Sequence, residues 1–202
     1  MKAALIGASG QAGSRLLAEL TRRGHQVTAI ARRPERIAAG PGVTAKKGDV
    51  FDKAALAELL KGHDAVISAV RFAASDPKLL IEAVKASGVK RYLAVGGAGS
   101  LEVAPGVRLV DTPQFPAAHK AEATKGGAFL DLLRNETELE WTFLSPSAKV
   151  GPGERTGRFR LGKDQLLTTD GGSSISWEDY AIAAIDELEA PAHVRRRFTV
   201  GY

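Results

Sequence analysis

The chain has 202 residues, 44% hydrophobic and 25% charged, a balance that supports one sizeable core and excludes an intrinsically disordered protein. It contains no cysteine, which excludes a disulfide framework, a thiolate nucleophile and a cysteine-ligated metal. The net charge of +5 favours anionic ligands, but the basic residues are scattered except at Arg195-Arg196-Arg197. No aromatic residues interleave with that cluster, so it reads as a solvated terminal face, and nucleic-acid binding is not expected.

The first apolar run, "KAALI", breaks at Gly7, too early for a signal peptide, and no stretch approaches transmembrane length. A cytoplasmic protein with no membrane partner is expected. That run reads as a strand, followed by a helix with an apolar stripe at Leu16, Leu17 and Leu20 that ends at Gly24. "QVTAIA" and "GVTAKKG" give the second and third strands. Asp52 caps a helix over "KAALAELLK" that stops at Gly62. "DAVISAV" is the fourth strand, and Asp76-Pro77 opens the next helix as N-cap followed by proline at the first helical position. "RYLAVGG" is the fifth strand.

Beyond residue 100 the rhythm loosens. The three prolines of "SLEVAPGVRLVDTPQFP" predict a long ordered loop, then a helix over about 117 to 135. The Gly126-Gly127 pair inside that helix predicts close packing against the sheet, since each glycine there costs about 1 kcal/mol relative to alanine. "LEWTFLS" is a sixth strand with Trp141 in the core, and residues 155 to 174 form a hairpin or irregular excursion. Ser176 and Asp179 make a capping-box pattern for the last helix, and "RRFTV" follows as an edge strand. Strand–helix alternation implies parallel strands joined by right-handed crossovers: an α/β doubly wound sheet with helices on both faces, one domain over residues 1–202. The C-terminal part would lean over the carboxyl edge, where open α/β sheets bind ligands.

The stretch Gly7-Ala8-Ser9-Gly10-Gln11-Ala12-Gly13 lies between the first strand and the first helix. In such a turn the first glycine permits a tight bend, the second lets backbone approach a pyrophosphate, and the third allows close helix–strand packing. The spacing is G-x-x-G-x-x-G, and its place at the start of a βαβ unit marks a dinucleotide cradle. A carboxylate at the end of the second strand would accept hydrogen bonds from the adenosine ribose and favour NAD(H). Here stand Arg32 and Arg33, with no acid before Glu35. Guanidinium forks match a 2′-phosphate, so NADP(H) is the expected cofactor ahead of NAD(H).

These residues, together with "GDV" at 48–50, "DAVISAV", "VGGAGSL", "DTPQFP", "WTFLSPS" and "ISWEDYA", resemble an atypical short-chain dehydrogenase/reductase. The resemblance covers nearly the whole chain and is nearest to the group of NAD(P)H-flavin reductases beside the NmrA-like and biliverdin-IXβ reductase proteins. It implies a Rossmann-type fold with a small substrate-covering C-terminal excursion. It further implies that Asp49 and Val50 meet the adenine, and that Ala69, Val70 and Arg71 lie beside the ribose and pyrophosphate. Gly96, Gly97 and Ala98 would line the nicotinamide half, with Ser145, Pro146 and Ser147 flanking the ring.

Most reductases of that superfamily carry Tyr-x-x-x-Lys, in which lysine lowers the pKa of a proton-donating tyrosine. Here the residue four beyond Tyr92 is Gly96, and beyond Tyr180 it is Ala184, so the motif is absent. Two readings survive. One is a reductase for a small planar redox acceptor such as a flavin or quinone, bound as substrate and needing little acid catalysis. The other is a non-catalytic NADP(H)-binding sensor of NmrA-like type. His119 is the candidate proton donor, beside the plainer reading of a helix-terminal surface histidine, with Lys120 a further possibility. Ser100, Phe115 and Phe159 are the candidate acceptor contacts. No histidine pair has metal-ligand spacing, and no metal is expected.

Overall fold

The computed structural model describes residues 1–202, and an eight-stranded sheet runs through it. In chain order the elements of the first half are β1 (Lys2–Ile6), α1 (Gln11–Arg22), β2 (Gln26–Ala31), β3 (Val43–Lys47), α2 (Lys53–Leu60), β4 (Ala65–Ser68), α3 (Pro77–Ser87) and β5 (Arg91–Val95). The second half comprises β6 (Glu102–Ala104), β7 (Val107–Arg108), α4 (Ala117–Arg134), β8 (Glu140–Pro146), β9 (Lys149–Gly151), β10 (Arg160–Gly162), β11 (Ser174–Ser176), α5 (Trp177–Glu189) and β12 (Arg196–Gly201). The main sheet has the order β10-β12-β8-β5-β4-β1-β2-β3, with every pair parallel except β10–β12. The order reverses between β1 and β4, which opens a crevice beyond their carboxyl ends.

Each helix lies where its apolar stripe dictates. Leu16, Leu17 and Leu20 of α1 and Tyr180, Ala184 and Ile185 of α5 pack on one face of the sheet. Leu56 and Leu60 of α2, Leu80 and Val84 of α3, and Phe129, Leu130 and Leu133 of α4 cover the other. The central strands are buried on both faces and therefore read as continuous apolar runs. The caps fall where the sequence puts them: Asp52 accepts from the Ala55 N–H at 3.0 Å, Asp76 from Lys78 at 2.8 Å, and Ser176 from Asp179 at 3.0 Å. No helix is long and apolar enough to cross a membrane.

Three expectations are corrected. The last strand is not an edge: β12 lies between β8 and β10, and its Phe198, Thr199 and Val200 are fully buried. The antiparallel pairing of Leu161 with Val200 covers it, contributed by the 155–174 excursion, which the sequence reads as a hairpin or an irregular segment. The terminal arginines are a solvated face only in part, with Arg195 and Arg196 exposed. Arg197 is buried and pairs with Asp164, and Arg195 donates to the carbonyls of Leu139 and Thr137. The glycine pair of α4 meets Phe72 rather than the sheet. A Cβ on Gly126 would lie 2.7 Å from that ring, while one on Gly127 would meet only Ser100 at an ordinary 3.7 Å.

The amino end of the sheet is closed by a buried ion pair. Arg91 donates to the Glu187 carboxylate at 3.1 Å, and the same carboxylate accepts from the His193 N–H at 2.9 Å. Removing one partner strands the other charge in the interior, which costs about 3 kcal/mol. Glu187→Ala is therefore expected to lose that much in urea unfolding, and a loss below about 1 kcal/mol would remove this pair from the stabilising contacts.

Candidate functional site

The crevice at the switch point has a volume of about 200 Å³. Gly7, Ser9, Gly10, Arg32, Val50, Ala69, Val70 and Arg71 all line it, and Ile6, Ile30, Ala31, Gly48 and Ala74 complete it. Backbone closeness builds the turn. A Cβ on Gly7 would lie 2.4 Å from the Ala69 carbonyl oxygen, and one on Gly13 would lie 2.1 Å from the Gly7 carbonyl oxygen. Gly7 also has φ +84°, a left-handed conformation that glycine adopts without penalty. The N-cap of α1 is Gly10, which has no side chain to satisfy the first-turn N–H groups. Those of Gln11, Ala12 and Gly13 find no acceptor in the protein, so α1 presents unpaired donors and its positive dipole end at the mouth.

Two guanidinium groups, Arg32 and Arg71, line the crevice, and no carboxylate does. Unpaired backbone donors, a close-packed glycine turn and paired guanidiniums fit the phosphates of a dinucleotide. Arg33 and Asp49 are outside the lining. Arg33 leads into a short 3-10 turn, and the Asp49 carboxylate accepts the Phe51 N–H at 3.0 Å. Ala8 is buried in the core.

The other half of the expected site follows β5 and β8, the next strands along the carboxyl edge. The Gly96 N–H donates to the Leu144 carbonyl at 2.8 Å, and a Cβ on Gly96 would lie 2.4 Å from the Phe143 ring. Gly97 lies beside Phe72, and Ala98 is half-buried. Ser145, Pro146 and Ser147 are buried. Ser147 donates to the Val200 carbonyl, whereas the Ser145 hydroxyl has no partner.

The candidate acceptor contacts lie on three separate segments of chain. Arg197 donates to both the carbonyl and the hydroxyl of Ser100 at 3.0 Å, which fixes Ser100 beneath its loop. Phe159 packs on the α1–α5 core, and Phe115 is half-buried ahead of α4. His119 is exposed in the first turn of α4, as is Lys120. All three phenols are committed. Tyr92 is buried against the Ser68 hydroxyl at 2.7 Å, and Tyr180 donates to the Leu144 carbonyl at 2.7 Å. Burial pushes both of their pKa values up, further from proton donation at neutral pH. Tyr202 donates to Asp179 at 2.9 Å.

A model of the family described as NAD(P)H-binding matches residues 7–191. The chain belongs to this family. With its sheet order and a relative provisionally named an NADH-flavin reductase, it is an atypical short-chain dehydrogenase/reductase of Rossmann fold. The uncharacterized protein YwnB of Bacillus subtilis is 43% identical over 211 residues, covering 99% of this chain and 98% of YwnB. A solved Bacteroides thetaiotaomicron protein provisionally named an epimerase is 47% identical with a TM-score of 0.94, over 100% of this chain and 96% of that one. A Streptococcus pneumoniae protein provisionally named an NADH-flavin reductase is 39% identical with a TM-score of 0.83, over 100% and 99%.

Sequence reasoning missed Glu122. Its carboxylate accepts the N–H groups of Phe72 and Ala73 at 2.7 and 2.8 Å, and lies 4.0 Å from the Arg71 guanidinium. It thereby holds the short turn Phe72–Ala74 that continues the crevice wall. No local signal marks it, because it acts across 50 positions of chain. A second fastening holds the segment that follows β9. Arg155 binds Glu19 of α1 through two 2.8 Å hydrogen bonds, Gly153 donates to Glu178, and Gly157 donates to Asp179.

The Arg155 hydrogen bonds outweigh burial and, with Arg23, hold the Glu19 carboxyl below its ordinary 4.5. A carboxylate with a lowered folded pKa stabilises the fold fully above its unfolded value, and that stabilisation is lost as pH falls through the folded one. The urea stability difference between the native protein and Glu19→Gln should therefore be greatest near pH 6 and shrink steadily below about pH 4.5. A difference independent of pH would mean that the charge on Glu19 does not fasten the segment that follows β9.

Proposed function

We propose that the protein is an NADPH-dependent reductase that delivers electrons to a flavin, a quinone or a similar planar acceptor. The observation that carries the reading is the commitment of every tyrosine hydroxyl to the protein itself, beside a crevice suited to a phosphorylated dinucleotide. Carbonyl reduction needs a positioned acid for the developing alkoxide. Flavins and quinones are electron-poor enough to take a hydride without one and to draw their proton from solvent. The Streptococcus pneumoniae relative's name agrees on a flavin acceptor, although it gives NADH as the donor.

Arg32 binds the 2′-phosphate, and Arg71 and the α1 N–H groups take the pyrophosphate. Val50 packs against the adenine, and Gly96, Gly97 and Ala98 leave room for the nicotinamide. Bound NADPH supplies the hydride. The protein contributes orientation and exclusion of water, and the flavin is a passing substrate rather than a resident group. His119 stands on the first turn of α4 with no side chain to orient it, which fits a bystander.

The deciding experiment is NADPH oxidation at 340 nm with FMN, riboflavin and a small quinone panel, with NADH run in parallel. Saturable, NADPH-preferring turnover is expected. Tight NADPH binding with no turnover on any acceptor would overturn the reductase and leave an NADP(H) sensor. Arg32→Ala should weaken NADPH binding by about tenfold or more with little effect on NADH, on the scale of a charge-assisted phosphate contact. Equal losses for the two cofactors would remove the 2′-phosphate assignment. His119→Phe should keep turnover within about threefold of wild type, and a fall of about a hundredfold would make His119 a proton donor after all.

A further inference from the structure

On the far side of the Phe72–Ala74 turn from the crevice lies a second, larger cavity of about 510 Å³, between the start of α3 and the middle of α4. Its floor is apolar. Phe72 and Phe129 meet edge-on with ring centroids 6.0 Å apart, and Ala128 and Leu132 extend the α4 wall. Phe51 borders it with 58% of its surface exposed, high for a phenyl ring. Lys78 and Lys125 also line it. Both are exposed, and neither has a carboxylate within ion-pair distance. The one carboxylate of the lining, Asp76, is occupied in capping α3.

We infer that this cavity is a second ligand site, for a flat apolar molecule carrying an anionic group. Phe51, the one exposed ring of the lining, gains from covering by another ring, offset or edge-on, over a floor formed by the buried Phe72 and Phe129, and two unpaired ammonium groups at the border favour an anion over a neutral or cationic ligand. The site is separate from the dinucleotide crevice: Phe72 and Ala73 face it, while Ala74 of the same turn faces the crevice. The wall between them is firm. Glu122 holds both of its N–H groups, and α4 approaches so closely at Gly126 that a Cβ there would press on the Phe72 ring. The two sites are therefore filled independently, and the inference does not rest on the reductase reading.

The test is a fluorescence titration with 1-anilinonaphthalene-8-sulfonate, a planar apolar anion, with and without saturating NADP+. Saturable enhancement is expected, persisting with NADP+ present. Lys78→Glu combined with Lys125→Glu, and separately Ala128→Trp, which fills the cavity from an exposed helix position, should each weaken the probe by about tenfold. Both variants should keep the wild-type circular dichroism and Tm. No saturable signal, displacement by NADP+, or unchanged affinity in both variants would overturn the second site. The variants decide the matter whether or not NADP+ binds.

Discussion

The contact on which the rest of the architecture depends is the approach of backbone to backbone at the first turn. A Cβ on Gly13 would lie 2.1 Å from the Gly7 carbonyl oxygen, and one on Gly7 would lie 2.4 Å from the Ala69 carbonyl oxygen. Both distances are far below any side-chain contact, so neither position admits another residue without moving α1 or β4. This closeness seats α1 against the end of β1 and keeps its unpaired N–H groups at the mouth of the crevice. It also joins the turn to the end of β4, so the glycine turn and the wall bearing Arg71 are parts of one close-packed corner.

From that corner outward, the protein uses its charges in two ways. Away from the crevice most arginines are fasteners. Arg91 anchors Glu187, Arg155 anchors Glu19, and Arg197 ties β12 to Asp164 and to Ser100. At the crevice, Arg32 has no carboxylate within ion-pair distance, and Arg71 has only Glu122, 4.0 Å away.

The absence of an acid–base pair fits the same picture. Tyr180, four residues before Ala184, is buried from α5 into the sheet and donates to the Leu144 carbonyl, next to the Gly96 backbone that accompanies it. A phenol used in this way is a structural strut. The phenols are thus spent on structure beside a corner suited to a dinucleotide, and the proposed reductase reading rests on that combination.

Much of this was legible in the sequence because it rests on local physics. The helix caps at Asp52, Asp76 and Ser176, the period-switching runs that make β1 to β5, and the glycine spacing of the first turn each depend on residues within a few positions of one another. Of the crevice lining, Gly7, Ser9, Gly10 and Arg32 were read from the glycine turn and the end of the second strand, whereas Val50, Ala69, Val70 and Arg71 came only from the family resemblance. What the tertiary structure alone decided are contacts between distant segments. The covering of β12 by β10, the burial of Arg197, the seating of Gly126 on Phe72, the commitment of Ser100 and the role of Glu122 all join residues dozens of positions apart. No periodicity or capping rule encodes such pairings, because a side chain's partner across the fold is fixed by how whole elements pack, and its own neighbours in the chain carry no trace of it.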